Sequence, residues 1–428
     1  MVAAGRREAA IPHVTEDRAD TVEGDPAAER PARTSRLPAA ATAIGLYLMV
    51  RMLSLEVMYV LAAHAHLRDP GRQVYPDGTI NNQWRGFTSI LDALVSWDGR
   101  WYAKIAGSGL GGPVGAVDSD GVPYELRLMF FPLYPWLARP LTFLPFVSPA
   151  TACLIISFFS AVAAAWGLYA IGRHVHGHRA GILLAVLWAV APAAMTENGA
   201  YTESLFTALA AWALYAVLKE RWLIAGLLAA AGGLSRPTSA ALIGTVGLAA
   251  LVAVISRRGG WRPYAALLLA PAGLIAYVAF AAGRLGSVHR YFEIHENTFG
   301  AQWDYGKSAW KTVTDIMIGV DDDHASKPIR LLSVLFLAGF VVLLALLVGR
   351  GPWQLTVFAA ATLILSVGSH AHISMAARHL LPAFPILLVP ALALARVSNR
   401  SLIIVFTTLA LLSGWYAGWL PFISGQAI

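Results

Sequence analysis

The stretch "SWDGRWYAKIAGSGL", residues 96–110, gathers an acid, two bases and three large aromatics in a chain built mostly of Ala, Leu, Val and Ile. Helical spacing puts Trp97, Trp101 and Ile105 on one face, Asp98 and Tyr102 on the adjacent strip, and Arg100 and Lys104 on another. A carboxylate held among cations and aromatics suits a general base, which takes a proton from a hydroxyl within hydrogen-bond reach. The same residues suit an interfacial anchor. Trp and Tyr form belts at membrane surfaces, Arg and Lys snorkel, and an Asp can cap a helix.

Other charged residues stand within or beside apolar runs, where a bilayer makes an unpaired charge costly. Arg236 in "LSRPTS", and Arg378 with His379 in "ARHLLPAFP", are the cations best placed to receive negative charge; each also suits a helix-end anchor. Glu203 suits a ligand hydroxyl or an ion pair, with N-terminal capping chemistry alongside Thr202 as the plainer reading. Arg51, with Glu56 about a turn later, reads as an internal structural pair. In "RLMFFPLYPWLARPL", Phe131 and Tyr134 offer flat apolar surface to a chain or a ring, while Pro132, Pro135 and Pro140 oppose a regular helix. Trp303 and Gln302 suit carbohydrate, since aromatic faces stack on sugar C–H surfaces and amides bond hydroxyls. No metal site is assigned. A divalent cation stays open at "DDDH", residues 321–324, and zinc at "SHAHIS", residues 369–374.

The elements that must position these residues are apolar helices. Of 428 residues, 57% are hydrophobic and 13% charged, against about 25% charged in soluble domains. The chain therefore reads as an all-α polytopic membrane protein. The sole cysteine, Cys153, excludes an intrachain disulfide and a Cys-based metal site. The net charge of +7 is explained by basic cytoplasmic loops and not by nucleic-acid binding. Residues 1–36 read as a disordered cytoplasmic tail, and 37–428 as a single transmembrane catalytic domain. Apolar stretches at 38–63, 147–170, 180–196, 202–218, 222–234, 237–256, 263–283, 330–349, 353–369, 379–396 and 401–420 give eleven spans. With that count, Arg173, Arg179, Lys219, Arg221, Arg257, Arg258, Arg262, Arg350, Arg396 and Arg400 all fall on one side, which the positive-inside rule makes cytoplasmic. Two long segments, about 64–146 and 284–329, are then extracytoplasmic loops carrying interfacial helices. Phe87, Ile90, Leu91, Leu94 and Val95 start one such helix, and its apolar face continues through Trp97, Trp101 and Ile105.

"WDGRWYAKIAGSGL", "FFPLYP" and "YTESLF" together resemble the PIG-V-like family, multi-spanning mannosyltransferases of the GT-C class with bacterial members in actinobacteria. The resemblance covers about 40–395. It implies a GT-C-like transmembrane bundle in the cell membrane, its active site outside the cytoplasm, and a polyprenyl-phosphate-linked sugar donor. It also implies an acidic base in the first outer loop, which maps to Asp98. Transfer would be to a glycan, lipid or protein hydroxyl, with inversion at the anomeric carbon. Arg236, Arg378, His379, Arg100 and Lys104 would serve the donor phosphate or substrate, with Glu203 on a sugar hydroxyl. Trp97, Trp101, Tyr102, Phe131, Tyr134 and Trp303 would contact sugar or lipid. Where eukaryotic members carry an acid and a His after the W-D pair, Arg100, Trp101 and Tyr102 stand here, which leaves the acceptor open. The rival reading is a transporter or flippase for a lipid-linked sugar, with Arg51, Glu56, Arg236 and Glu203 lining a path. Polar residues gathered toward one face favour the enzyme.

Overall fold

The computed structural model describes residues 36–68, 90–300, 302–318, 327–369 and 376–424. By internal contacts the chain divides into Met1–Arg36 and Leu37–Ile428. Among the described residues the second unit is all-α, with two isolated β-bridges, Val117 to Pro123 and Trp303 to Ser369.

A long first helix, α1 (Arg36–Arg68), precedes two short ones, α2 (Ile90–Leu94) and α3 (Asp98–Ser108). After α4 (Leu133–Ala138) comes a run of apolar helices: α5 (Pro149–His176), α6 (His178–Ala189), α7 (Glu203–Leu218), α8 (Trp222–Gly233), α9 (Ala240–Ile255), α10 (Arg262–Leu269) and α11 (Ala272–Leu285). Two amphipathic helices, α12 (Val288–Phe299) and α13 (Lys307–Ile318), interrupt it. The chain closes with α14 (Lys327–Leu347), α15 (Trp353–Gly368), α16 (Ala376–Leu380), α17 (Leu388–Leu394) and α18 (Asn399–Trp419).

Each of the eleven apolar stretches holds a helix, but the helices fall into two classes. Six segments are long and apolar enough to cross a bilayer: 39–64, 149–176, 237–255, 262–285, 330–347 and 399–422. The other five, 178–189, 203–218, 222–233, 353–368 and 384–394, have between 10 and 17 residues. A twelve-residue helix such as α6 reaches only ~18 Å at ~1.5 Å per residue, against ~30 Å of hydrocarbon. Local sequence ends them: Pro192 follows α6, and Gly232, Gly233 and Pro237 close α8.

The helices pack closely through glycines. A Cβ on Gly172 would lie 2.7 Å from the Gly181 Cα, so α5 and α6 touch backbone to backbone. One on Gly273 would lie 1.9 Å from the Ala230 carbonyl oxygen, which locks α11 on α8. Small residues serve this purpose where lipid and protein are equally apolar and van der Waals contact drives association.

Two local features depart from the sequence expectation. The apolar stripe does not run through one helix from residue 90 to 105: α2 stops at Leu94, and the chain turns at Trp97 with φ +46° before α3 begins at Asp98. The i, i+4 pattern is real on each piece, but the backbone between them is not helical. Phe87 lies outside the described residues. Pro135 does not prevent a helix either; it sits in the first turn of α4, where a missing N–H removes no intrahelical bond.

Candidate active site

The residues of the WD cluster are placed by a buried turn on another part of the chain. Residues 190–202 connect α6 to α7; Thr196 and Glu197 there, and Glu203 and Ser204 at the start of α7, are fully buried. Irregular backbone of this kind needs internal partners. The Ala200 N–H donates to the Leu94 carbonyl at 2.7 Å, and the Ser157 hydroxyl to the Gly199 carbonyl at 2.6 Å. The Tyr201 hydroxyl donates to the Ser96 carbonyl at 3.1 Å. Gly99 lies against Ala200, where a Cβ would come within 3.2 Å of its methyl. This turn therefore clamps the strained Trp97 and sets the start of α3. A bulky residue at positive φ is uncommon, and such strain persists only where the surroundings over-determine it.

At that junction three widely separated ionic residues meet. Arg378, on α16, donates from Nη2 to Asp98 Oδ2 at 2.5 Å and from Nε to Glu203 Oε1 at 2.6 Å. Its guanidinium carbon lies 4.6 Å from the centroid of the Tyr201 ring. Arg236 places Nη1 3.4 Å from the same Glu203 oxygen and lies over Phe206 at 5.7 Å. Only Asp98 opens outward: its side chain is 36% exposed, against 9% for Arg378, 9% for Arg236 and 0% for Glu203. Nε and Nη1 of Arg236 have no hydrogen-bond acceptor among the described residues, and Glu203 Oε2 has no donor. The Arg236–Glu203 approach is thus an electrostatic contact without hydrogen-bond geometry, and leaves donor capacity for a ligand anion. His379 follows Arg378, half-buried and within electrostatic reach of Arg236 and Glu203. Thr202 makes no side-chain capping bond, and Glu203, in the first turn of α7, serves the ion pairs.

Aromatic residues wall one side. Trp101 stacks on Phe130 at 5.2 Å, Tyr102 meets Phe130 and Tyr134 edge-on, and Phe299 of α12 meets Phe130 at 5.8 Å. Burial, then the negative charges of Asp98 and Glu203, push the Tyr102 hydroxyl up, so it stays protonated. Phe131 and Tyr134 are 2% and 0% exposed. Phe131 packs on Tyr277, and the Tyr134 hydroxyl donates to the Cys153 carbonyl. They act as core that props the wall and offer no open face. Trp303 stands apart, bridged to Ser369 with its ring over Gly368, and is half-exposed.

Lys104 does not join the cluster. It pairs with Asp118 at 2.5 Å and Asp120 at 2.6 Å, and Arg127 holds the same Asp118 oxygen at 2.9 Å. Lys104, opposed by burial and helped by Arg127 and the N–H groups of Val122 and Asp120, holds the Asp118 carboxyl well below the usual carboxylate range. Arg100 is exposed on α3. Arg51 pairs with Glu197 at 3.7 Å and not with Glu56, which is exposed. Tyr47 donates to the same Glu197 oxygen at 2.8 Å, so a second buried unit steadies the 190–202 turn from behind. Sequence reasoning missed Tyr201 as a ring beneath Arg378, and the Asp118–Arg127 pair. The "YTESLF" motif held Tyr201 in view; nothing local marked Asp118. Residues 321–324 and 370–374 lie outside the described residues. Among the described residues, no three His, Cys, Asp or Glu side chains cluster as metal ligands.

Chemically, the arrangement offers a carboxylate at the exposed lip, two arginines behind it and a neutral aromatic wall. No curated protein matches the chain. Two crystal structures of ArnT from Cupriavidus metallidurans superimpose on it with a TM-score of 0.49. The one bound to undecaprenyl phosphate is 14% identical, over 84% of this chain and 62% of that one. The apo state is 15% identical, over 84% and 61%. The chain thus spans about three-fifths of the length of those proteins. A family model, dolichyl-phosphate-mannose-protein mannosyltransferase, matches residues 131–282, a stretch that contains Glu203 and Arg236 and stops short of Asp98 and Arg378.

Proposed function

We propose that this chain is an inverting GT-C-type glycosyltransferase, moving a mannosyl residue from polyprenyl-phosphate mannose to an acceptor hydroxyl outside the cytoplasm. The observation that carries the reading is Arg378, which bridges an exposed carboxylate, Asp98, and a buried one, Glu203, beside the under-used donors of Arg236. The family model over residues 131–282 supports the same donor class.

The donor phosphate occupies the fork between Arg378 and Arg236, taking up the vacant donors. Competition for Arg378 frees the Asp98 carboxylate. The acceptor hydroxyl attacks the anomeric carbon from the side opposite the phosphate, and Asp98 takes its proton. The bond from that carbon to the phosphate oxygen breaks, and the lipid phosphate leaves with one more negative charge, which the two guanidiniums receive. Glu203 keeps both arginines oriented. Trp101, backed by Phe130 beneath it, gives the sugar a flat wall. Behind α16, an apolar cavity of about 180 Å³, lined by Phe336, Phe340, Ala377, Leu380 and Phe384, suits the first isoprenoid units. The junction then faces the outer leaflet of the cell membrane, and basic loops face the cytoplasm.

Purified protein with polyprenyl-phosphate mannose and a membrane lipid extract should yield a mannosylated product by mass analysis. Asp98→Asn should abolish it, and Arg236→Ala should raise the donor KM. Wild-type turnover by Asp98→Asn removes the base. A lipid-linked sugar that crosses vesicle membranes without transfer would favour the flippase; the closed, buried Arg51–Glu197 pair offers no path for one.

A further inference from the structure

A second concavity is lined by none of the residues of the ionic junction. It is a groove of about 580 Å³ between α1, α6 and α18. Its floor is apolar: Val50, Leu183, Val186 and Phe406 are buried there. Its rim, Met49 and Ile403, is 62% and 68% exposed. One end differs. There α6 begins at His178 and Arg179, and α18 begins at Asn399.

The polar end faces solvent: His178 and Arg179 are both exposed. Arg179 donates from Nη2 to the Val397 carbonyl at 2.5 Å and to Asn399 Oδ1 at 3.1 Å. That leaves its Nη1 and Nε without acceptors among the described residues. The His178 Nδ1 bonds the Tyr169 hydroxyl at 2.7 Å, which fixes the ring and turns Nε2 outward. The N-terminus of α6 has no side-chain cap, so its first N–H groups face outward, while the C-terminus of α5 one residue away offsets its dipole. A guanidinium fork, an imidazole and a helix start form a phosphate-recognition set.

We infer that this groove holds one anionic phospholipid, its phosphate on Arg179 and His178 and one acyl chain along the floor between α1 and α18. The charge is at one end and the apolar surface runs away from it, which matches an amphiphile. A packed helix from another protein has no use for a charged end of this kind, and a free phosphate has no use for the floor. The occupant would also brace α1 at Val50 and Leu53, either side of Arg51, which holds Glu197. The inference does not depend on the transferase reading.

Delipidated full-length protein in detergent is titrated with phosphatidylglycerol and with phosphatidylcholine of equal chain length, and bound lipid is read by native mass spectrometry. Both lipids carry the phosphate, but choline sets a like charge beside Arg179, so the expected preference for phosphatidylglycerol is roughly tenfold, the scale of one charge-charge contact. Arg179→Gln should bring the two lipids level, while Arg179→Lys keeps most of the preference. Leu402→Trp, which fills the groove, should lower retention of both. Equal retention by the wild type, or an undiminished preference in Arg179→Gln, overturns the site. Full displacement of phosphatidylglycerol by inorganic phosphate alone would reduce it to a bare anion site. If Arg179→Gln does not fold, the Leu402→Trp and phosphate arms still decide.

Discussion

Arg378 grips two carboxylates that differ in one respect, their access to water, and that difference predicts opposite behaviour for two similar substitutions. Glu203 is 0% exposed and Asp98 36%. Glu203→Ala leaves buried Arg236 without its carboxylate and Arg378 with only the solvent-screened Asp98, and breaking a buried pair costs about 3–5 kcal/mol. Asp98→Asn removes a contact screened by solvent, worth about 0–1 kcal/mol. The expected cost to turnover is reversed in origin. Losing a general base lowers the rate by about 10²–10⁴-fold even in a fully folded protein. Two measurements separate these effects: unfolding in mixed micelles for stability, and mannosyl transfer per folded molecule for activity. Asp98→Asn should lie near the wild-type unfolding midpoint with almost no transfer. Glu203→Ala should unfold early. An Asp98→Asn midpoint lowered as far as that of Glu203→Ala would show that Asp98 is a structural ion-pair partner, and the base assignment would fall.

Trp97 stands at φ +46°, so Trp97→Gly should be less destabilising than Trp97→Ala by about 1 kcal/mol, although Gly deletes more atoms; thermal unfolding of the two variants checks this. Asp118 is held ionised by Lys104 and Arg127. Its folded-state pKa is depressed, so its stabilisation is complete above the ordinary carboxylate pKa of about 4. The stability difference between wild type and Asp118→Asn should stay constant from neutral pH to that point and shrink only as pH falls further; a gap that closes near neutrality contradicts the pairing. Cysteines at positions 100 and 258, both exposed, should react with impermeant reagents from opposite sides of sealed vesicles, while buried Cys153 stays silent. Reaction from one side refutes the orientation.

The helices were legible because burial in lipid demands long apolar runs, and every such run in the chain holds one. Asp98, Glu203, Arg236 and Arg378 stood out in the sequence for a related reason, since charge beside lipid needs a partner, and the structure brings the four together. Their mutual pairing was not legible, since 175 residues separate Glu203 from Arg378 and no local spacing encodes that contact. Arg51 showed the limit. A carboxylate one turn away looked like its partner, but Glu56 points outward and Glu197 reaches Arg51 from the buried turn. Lys104 showed another: it shares a loop with Asp98, whereas the 110–123 segment folds back and supplies two acids closer to hand. The break at Trp97 was invisible because each side of it keeps a sound amphipathic pattern.

The abbreviated helices carry a kinetic implication. Because α6 and α8 give out after twelve residues each, about 18 Å of helix against ~30 Å of hydrocarbon, the ionic junction on the transferase reading lies below the level where a full-length span would surface. A reactant anchored by a hydrocarbon tail then arrives sideways, by diffusion within the sheet of lipid. Its relevant abundance is molecules per unit of bilayer. Diluting it with inert phospholipid should slow turnover, whereas doubling the volume of buffer around the same vesicles should leave the rate alone.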